Sequence, residues 1–260
     1  AMASVRSLVF LLLLLPQGRR ALSPGRRWGR RCKVVRMAGS NVGLPSNLHV
    51  VVPKKERCDV LRRGLSKDGF VSVKAVDCTA MVAEVCRRQK CRKVAATALG
   101  RALASVALIA DGIEDEETFQ VRFEGDGPLG GLLAMSNGRL EARGYVGNPE
   151  VAVGSVGGAV GKGQLKVVRL KNLPGEEVAS PFSSIVDIVT GEIAQDINYF
   201  VATSEQREGA LAAGVAVEEE EEVVGATADS PPSRVVAAGG WRIELLPNAP
   251  KEGADQVLAN

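Results

Sequence analysis

Two glycine-rich stretches carry the residue types from which a phosphate cradle is built. The first, Gly125-Asp-Gly-Pro-Leu-Gly130, comes directly after the alternating run Thr118-Phe-Gln-Val-Arg-Phe-Glu124 and has the glycine spacing of a dinucleotide loop. Such a loop needs its third glycine to open a helix whose N-terminal amides and dipole face the pyrophosphate. The segment after Gly130 is too short for that helix, because Gly131 to Ser136 runs into Asn137-Gly138 and then Arg139 to Tyr145. Asn-Gly between two short runs signals a tight hairpin. Gly125 to Gly130 therefore reads as a turn between antiparallel strands. The second stretch, Gly157-Gly-Ala-Val-Gly-Lys-Gly163, imitates a phosphate loop. Its glycines stand one residue too close, Gly163 replaces the Ser or Thr that would hold magnesium, and Gln164 to Leu170 reads as a strand where a helix is required. A nucleotide-binding enzyme using Gly125–Gly130 or Gly157–Gly163 is the alternative reading of this chain.

The thiols give no stronger chemistry. Cys32, Cys58, Cys78, Cys86 and Cys91 have their tightest spacing between Cys86 and Cys91, no Cys-x-x-Cys occurs, and His49 is the single histidine. Structural zinc wants closely spaced thiolate or imidazole pairs, so these cysteines read as small buried or surface thiols. A Ser-His-Asp or Cys-His arrangement would have to use His49. No catalytic, cofactor or metal residue is assigned, and the chain is not read as an enzyme.

The elements that must position these stretches emerge from periodicity. Gly69 to Val76 alternates as a strand, and Asp77 can cap a helix over 79–92 with Met81, Val82 and Val85 on one face. Arg87, Arg88, Lys90 and Arg92 gather at its C-terminal end, where they complement the dipole as a solvated cluster. Val94 to Ala110 is apolar nearly all round with Arg101 its only charge, so it must be buried, and Asp111-Gly112 ends it. Phe119, Val121 and Phe123 mark a half-buried strand for which that helix is the natural cover. Residues 183–190 read as a strand, and 191–203 as a helix with Ile193, Ile197, Phe200 and Val201 on its core stripe and Glu192 and Asp196 on the other side. Leu211 to Val217 and Val235 to Leu246 form a late strand pair, interrupted by an acidic insertion loop over 218–233. The fold class is α+β, mainly antiparallel sheets packed with helices in a single core domain.

The formal net charge of +3 is misleading, because nine basic residues precede position 46 and the first acidic residue is Glu56. Without those nine, 24 basic residues face 30 acidic ones, a net of −6. Neither a nucleic-acid surface nor an aromatic base-stacking platform is expected on the folded part. Leu8 to Leu15 is an apolar run behind Arg6, the size of a signal-peptide core and too short to anchor in a membrane. Residues 17–46 are rich in Arg, Gly and Ser and free of acids, the composition of a transit peptide. Residues 1–46 thus read as a cleavable signal-plus-transit leader directed to a plastid, with secretion or another compartment as rivals. Residues 47–247 form the core and 248–260 a polar tail.

Five blocks in one order also carry a resemblance. Glu124-Gly-Asp-Gly-Pro-Leu-Gly-Gly131 contributes Gly125, Asp126, Gly127 and Pro128. Ala142-Arg-Gly-Tyr-Val146 is the second block, and Val160-Gly-Lys-Gly163 brings Gly161 and Gly163. Ser204, Glu205 and Gln206 come next, and Ala237-Ala-Gly-Gly240 ends on Gly239 and Gly240. Together, from about Asp59 to Pro247, they resemble the core domain of the thirty-three-kilodalton heat-shock chaperones, a redox-regulated holdase family. The resemblance implies ATP-independent binding of unfolding or oxidatively damaged client proteins, with a homodimer allowed and client-contact residues unassigned. It also implies a C-terminal module of four zinc-holding cysteines, Cys-x-Cys and Cys-x-x-Cys, as the family's redox switch. No such pairs occur in these 260 residues, so the chain is expected to work without zinc, as a holdase or as an inert fragment.

Overall fold

The computed structural model describes residues 59–171, 181–219, 233–247 and 249. The leader, His49, Cys32, Cys58 and nearly all of the polar tail lie outside them. The chain order is β1 (Val60–Leu65), β2 (Val71–Asp77), α1 (Thr79–Arg88), α2 (Lys93–Ala110), β3 (Glu117–Gly125), β4 (Leu132–Asn137) and β5 (Ala142–Val146). Then come α3 (Val156–Val160), β6 (Gly163–Lys171), β7 (Phe182–Asp187), α4 (Ala194–Ser204), β8 (Gly209–Glu219) and β9 (Ser233–Leu245). Two antiparallel sheets result, one of order β1-β2-β9-β8 and one of order β5-β4-β3-β6-β7. The α+β reading holds.

The helix α2 explains why both sheets stay together. Fourteen of its 18 residues are buried, which a helix achieves only when covered on several sides. A Cβ built on Gly100 would meet Val215 of β8 and Val82 of α1, whereas one on Gly144 of β5 would meet Leu99 and Leu103 of the helix. The first sheet and the five-stranded sheet therefore both pack on α2, with Phe119, Val121 and Phe123 among the fully buried side chains. Its length and apolarity would also suit a membrane span, but here the partner surface is protein. Its one charged residue beyond Lys93, Arg101, pairs with Glu192.

Local chemistry departs from the sequence expectations in four places. The strand β1 precedes the expected first strand, and its neighbour Asp59 accepts from the amides of Ala80 and Met81, both at 2.8 Å. The start of α1 is thus capped from the edge of another strand as well as by Asp77, which accepts from Thr79. The Asn137-Gly138 hairpin is real but wider than a two-residue turn. Asn137 Oδ1 accepts from Arg139 and Glu141, and Leu140 takes the left-handed turn at φ 63°. Asp196 does not face solvent; it is 1% exposed and accepts from the amides of Val189 and Thr190 at 2.9 and 2.8 Å, closing the turn before α4. Finally, β8 runs into the acidic stretch, where Glu218 pairs with Arg234 of β9. The expected insertion loop 218–233 thus starts and ends in strand, and its residues 220–232 lie outside the described residues.

Candidate functional site

The two glycine stretches meet each other. Gly125 and Gly163 are paired neighbours of β3 and β6. The Asp126 amide donates to Lys162 O at 2.8 Å, the Lys162 amide returns to Asp126 Oδ1 at 2.7 Å, and Gly127 and Leu129 donate to Val160 and Ala159. The main chains approach so closely that a Cβ on Gly125 would lie 1.9 Å from Val160 O. Amides that a phosphate would need are therefore spent on the neighbouring loop, and α3 has only five residues. Pro128 stands at the outer bend, where its carbonyl accepts from Asn148. Nothing in this geometry favours the nucleotide alternative.

The other motif residues also build the scaffold. Gly239 and Gly240 lie in β9, where Cβ atoms would fall 2.4 Å from Val76 O and 2.5 Å from Ala212 O respectively. Ser204 ends α4, and Gln206 reverses the chain at φ 53°. Glu205 carries a charge chain between the two sheets. Arg169 of β6 reaches Glu117 of β3 at 3.4 Å and Glu205 at 2.5 Å. Arg207 lies 3.9 Å from Glu205 and pairs with Glu244 of β9, whose carboxylate also meets Arg242 at 3.2 Å. Acid and base alternate through six residues, which offsets charges that would be expensive if left alone, while Glu205 Oε2 and Arg242 Nη1 make no hydrogen bond among the described residues. Burial pulls the Arg242 guanidinium below its ordinary value, with Glu244 opposing the shift. Ser204-Glu205-Gln206 is legible as a motif, but its role needs partners from distant strands.

Among the described residues no three His, Cys, Asp or Glu side chains come together as metal ligands. The zinc implied by the resemblance finds no donor set there, so no chemical step involves it. Cys78, Cys86 and Cys91 are buried thiols.

One face of the five-stranded sheet remains open. The inward residues pack on α2, while the pairing places Tyr145, Leu133, Arg122, Lys166 and Ile185 in one row across the other face. The next row contains Met135, Gln120 and Val168. Tyr145 and Ile185 are 60% and 57% exposed. Between these ends Glu124 binds both Arg122 at 2.8 Å and Lys166 at 2.5 Å, leaving one net positive charge at the centre of the row. A depression of about 370 Å³ opens beside Tyr145 and Leu133 against Gly130 and Gly131. Exposed aromatic and aliphatic groups in one row can hold extended apolar chain through area burial alone. The sequence motif Ala142–Val146 points at this edge without showing its neighbours.

The family model described as Hsp33 protein matches residues 59–260. The chain belongs to the Hsp33 family. A "33 kDa chaperonin" of Desulforamulus reducens is 36% identical to this Hsp33-family chain over 201 residues, covering 75% of it and 63% of the relative. One of Picosynechococcus is 39% identical over 202 residues, covering 75% and 62%. The crystal structure of a 33 kDa chaperonin from Thermotoga maritima superposes with a TM-score of 0.60 at 34% identity, over 71% of this chain and 60% of that one. The Hsp33-family chain thus spans somewhat under two thirds of the relatives' lengths.

Proposed function

We propose that the chain is an ATP-independent holdase that retains apolar segments of unfolding proteins on the outer face of the five-stranded sheet. Membership of a family whose relatives bear the name 33 kDa chaperonin carries this reading. The row from Tyr145 to Ile185 supplies a contact surface of suitable chemistry, and the self-paired glycine loops supply no nucleotide site. On this reading the chain is not an enzyme, and clients enter by apolar burial without hydrolysis. A plastid destination rests on residues 1–46.

Light scattering from a thermally unfolding client in reducing buffer without nucleotide tests the proposal. Suppression at stoichiometric chain is expected. Unchanged aggregation by a chain that remains folded would overturn it. Calorimetric titration with NAD, and with ATP plus magnesium, should give no saturable heat.

A further inference from the structure

The end of α1 brings two thiols together by a main-chain device. The Cys91 amide donates to Cys86 O at 3.0 Å and the Lys90 amide to Arg87 O at 3.2 Å, while Lys90 takes φ 53°. These paired bonds around a left-handed residue are the Schellman closure of a helix, in which the residue two beyond the cap packs on the third residue from the end. Here that touching pair is Cys91 and Cys86. The Cys86 thiol donates to Ala96 O at 3.8 Å, and the two buried thiols lie close enough to shift each other's acidity. A main-chain hydrogen bond joining residues 86 and 91 is compatible with the roughly 4.4 to 6.8 Å Cα separation that a disulfide spans.

We propose that Cys86 and Cys91 form a dithiol site that hydrogen peroxide closes into an intramolecular disulfide. The neighbouring Cys91 thiol and then burial hold the Cys86 thiol above its ordinary value. Cys91 lies in the turn that must open, whereas Cys86 stays in the helix, so Cys91 is the attacking sulfur and Cys86 the resolving one. The Cys91 thiolate takes one oxygen from the peroxide to give a sulfenic acid, and the other peroxide oxygen leaves as water after gaining a proton. The Cys86 sulfur then displaces hydroxide from the sulfenic sulfur, and that hydroxide takes the Cys86 proton as a second water. Two thiols and one peroxide give one disulfide and two waters.

Both cysteines are buried, so reaction requires the turn to open. Opening must break the bond that Cys91 O accepts from Ser233 Oγ at 2.6 Å and the one that the Arg92 amide gives Pro149 O at 2.8 Å. Arg87, Arg88 and Arg92 around it are exposed, and a left-handed lysine is a less comfortable closure than glycine. Cys78 provides an internal contrast at the other end of α1. Burial pushes its thiol up to about 12, and it should remain reduced.

The test exposes the native full chain to hydrogen peroxide, quenches it, unfolds it, alkylates free thiols and maps peptides by mass. Cleavage after Glu84 and at the basic residues between the cysteines separates Cys78, Cys86 and Cys91. A disulfide joining the peptides of Cys86 and Cys91, with Cys78 fully alkylated, is expected. A Cys86→Ser chain should instead accumulate a dimedone-trapped sulfenic acid at Cys91. Full alkylation of both thiols, oxidation of Cys78 at the same rate, or linkage to Cys32 or Cys58 would overturn the proposal. The mapping on the native chain stands even if the serine variant fails to fold, and it requires no client protein.

Discussion

Replacing Gly161 with alanine should strike the joint between the two glycine loops. Gly161 sits at φ 73°, ψ −161°, a region essentially reserved for glycine, and forcing another residue there costs about 1 to 3 kcal/mol. Its new Cβ would lie 2.2 Å from Asp126 Oδ1 and 2.5 Å from Gly127 N, and only the first of these can rotate away. Moving Asp126 breaks its 2.7 Å bond from the Lys162 amide, a further loss of about 1 kcal/mol. The total is about 2 to 4 kcal/mol, which for a domain of this size lowers Tm by about 10 °C. Two controls separate strain from collision. Gly69→Ala, at φ 79° with open space around it, should lose only the backbone strain, about 1 kcal/mol. Gly154→Ala, with open space and no left-handed backbone, should stay within about 0.5 kcal/mol. Urea unfolding of the three variants gives the comparison. If Gly161→Ala lost no more stability than Gly69→Ala, the interlocked-loop account would be wrong.

Glu205→Ala should destabilise the fold by about 3 kcal/mol by leaving Arg169 underpaired between the sheets, again read by urea unfolding. Glu84 is held down to about 2 from 4.5, first by its hydrogen bonds from Arg87 and Arg88, so its contribution is present above pH 4.5 and is lost as pH falls toward 2. Because these side chains are 35 to 67% exposed, Glu84→Gln should cost at most about 0.5 kcal/mol at about pH 7 and nothing near pH 2, as followed by thermal unfolding across pH. Leu133→Asp combined with Tyr145→Asp should weaken suppression of client aggregation with little change in Tm; full suppression by the folded double variant would move the client surface elsewhere.

Period and turn chemistry make much of this fold legible. Phe119, Val121 and Phe123 announce a one-sided strand, and the uniformly apolar 94–110 segment announces a helix covered all round. Both signals are local and survive into the tertiary structure. Asp196 misleads because an acid on a helix reads as solvent-facing unless the neighbouring turn, whose amides it satisfies, is known. The acidic run misleads similarly: Glu218 remains in β8 because Arg234 stands opposite. The strand β1 lacks alternation, since Arg62-Arg63 interrupts it, and its identity depends on β2 beside it. The motif glycines are visible as residues but their purpose is not, because each is defined by a backbone atom far away in sequence. The open sheet face is invisible for the same reason, since its row draws one residue from each of five strands.

The order β1-β2-β9-β8 has a consequence for how the chain is made. The strand β2 pairs with β9, Val71 with Leu245, so the first strands to leave the ribosome wait for the last. The five-stranded sheet lies wholly within that interval and can assemble on one side of α2 as it emerges. The other side of α2, with Gly100 toward β8 and Leu108 toward β9, is not fully covered until synthesis passes residue 245. Late, long-range closure of this kind is slow and leaves sticky intermediates. Until its final central strand arrives, a nascent copy presents unfinished apolar surface of the kind that the proposed client face would hold.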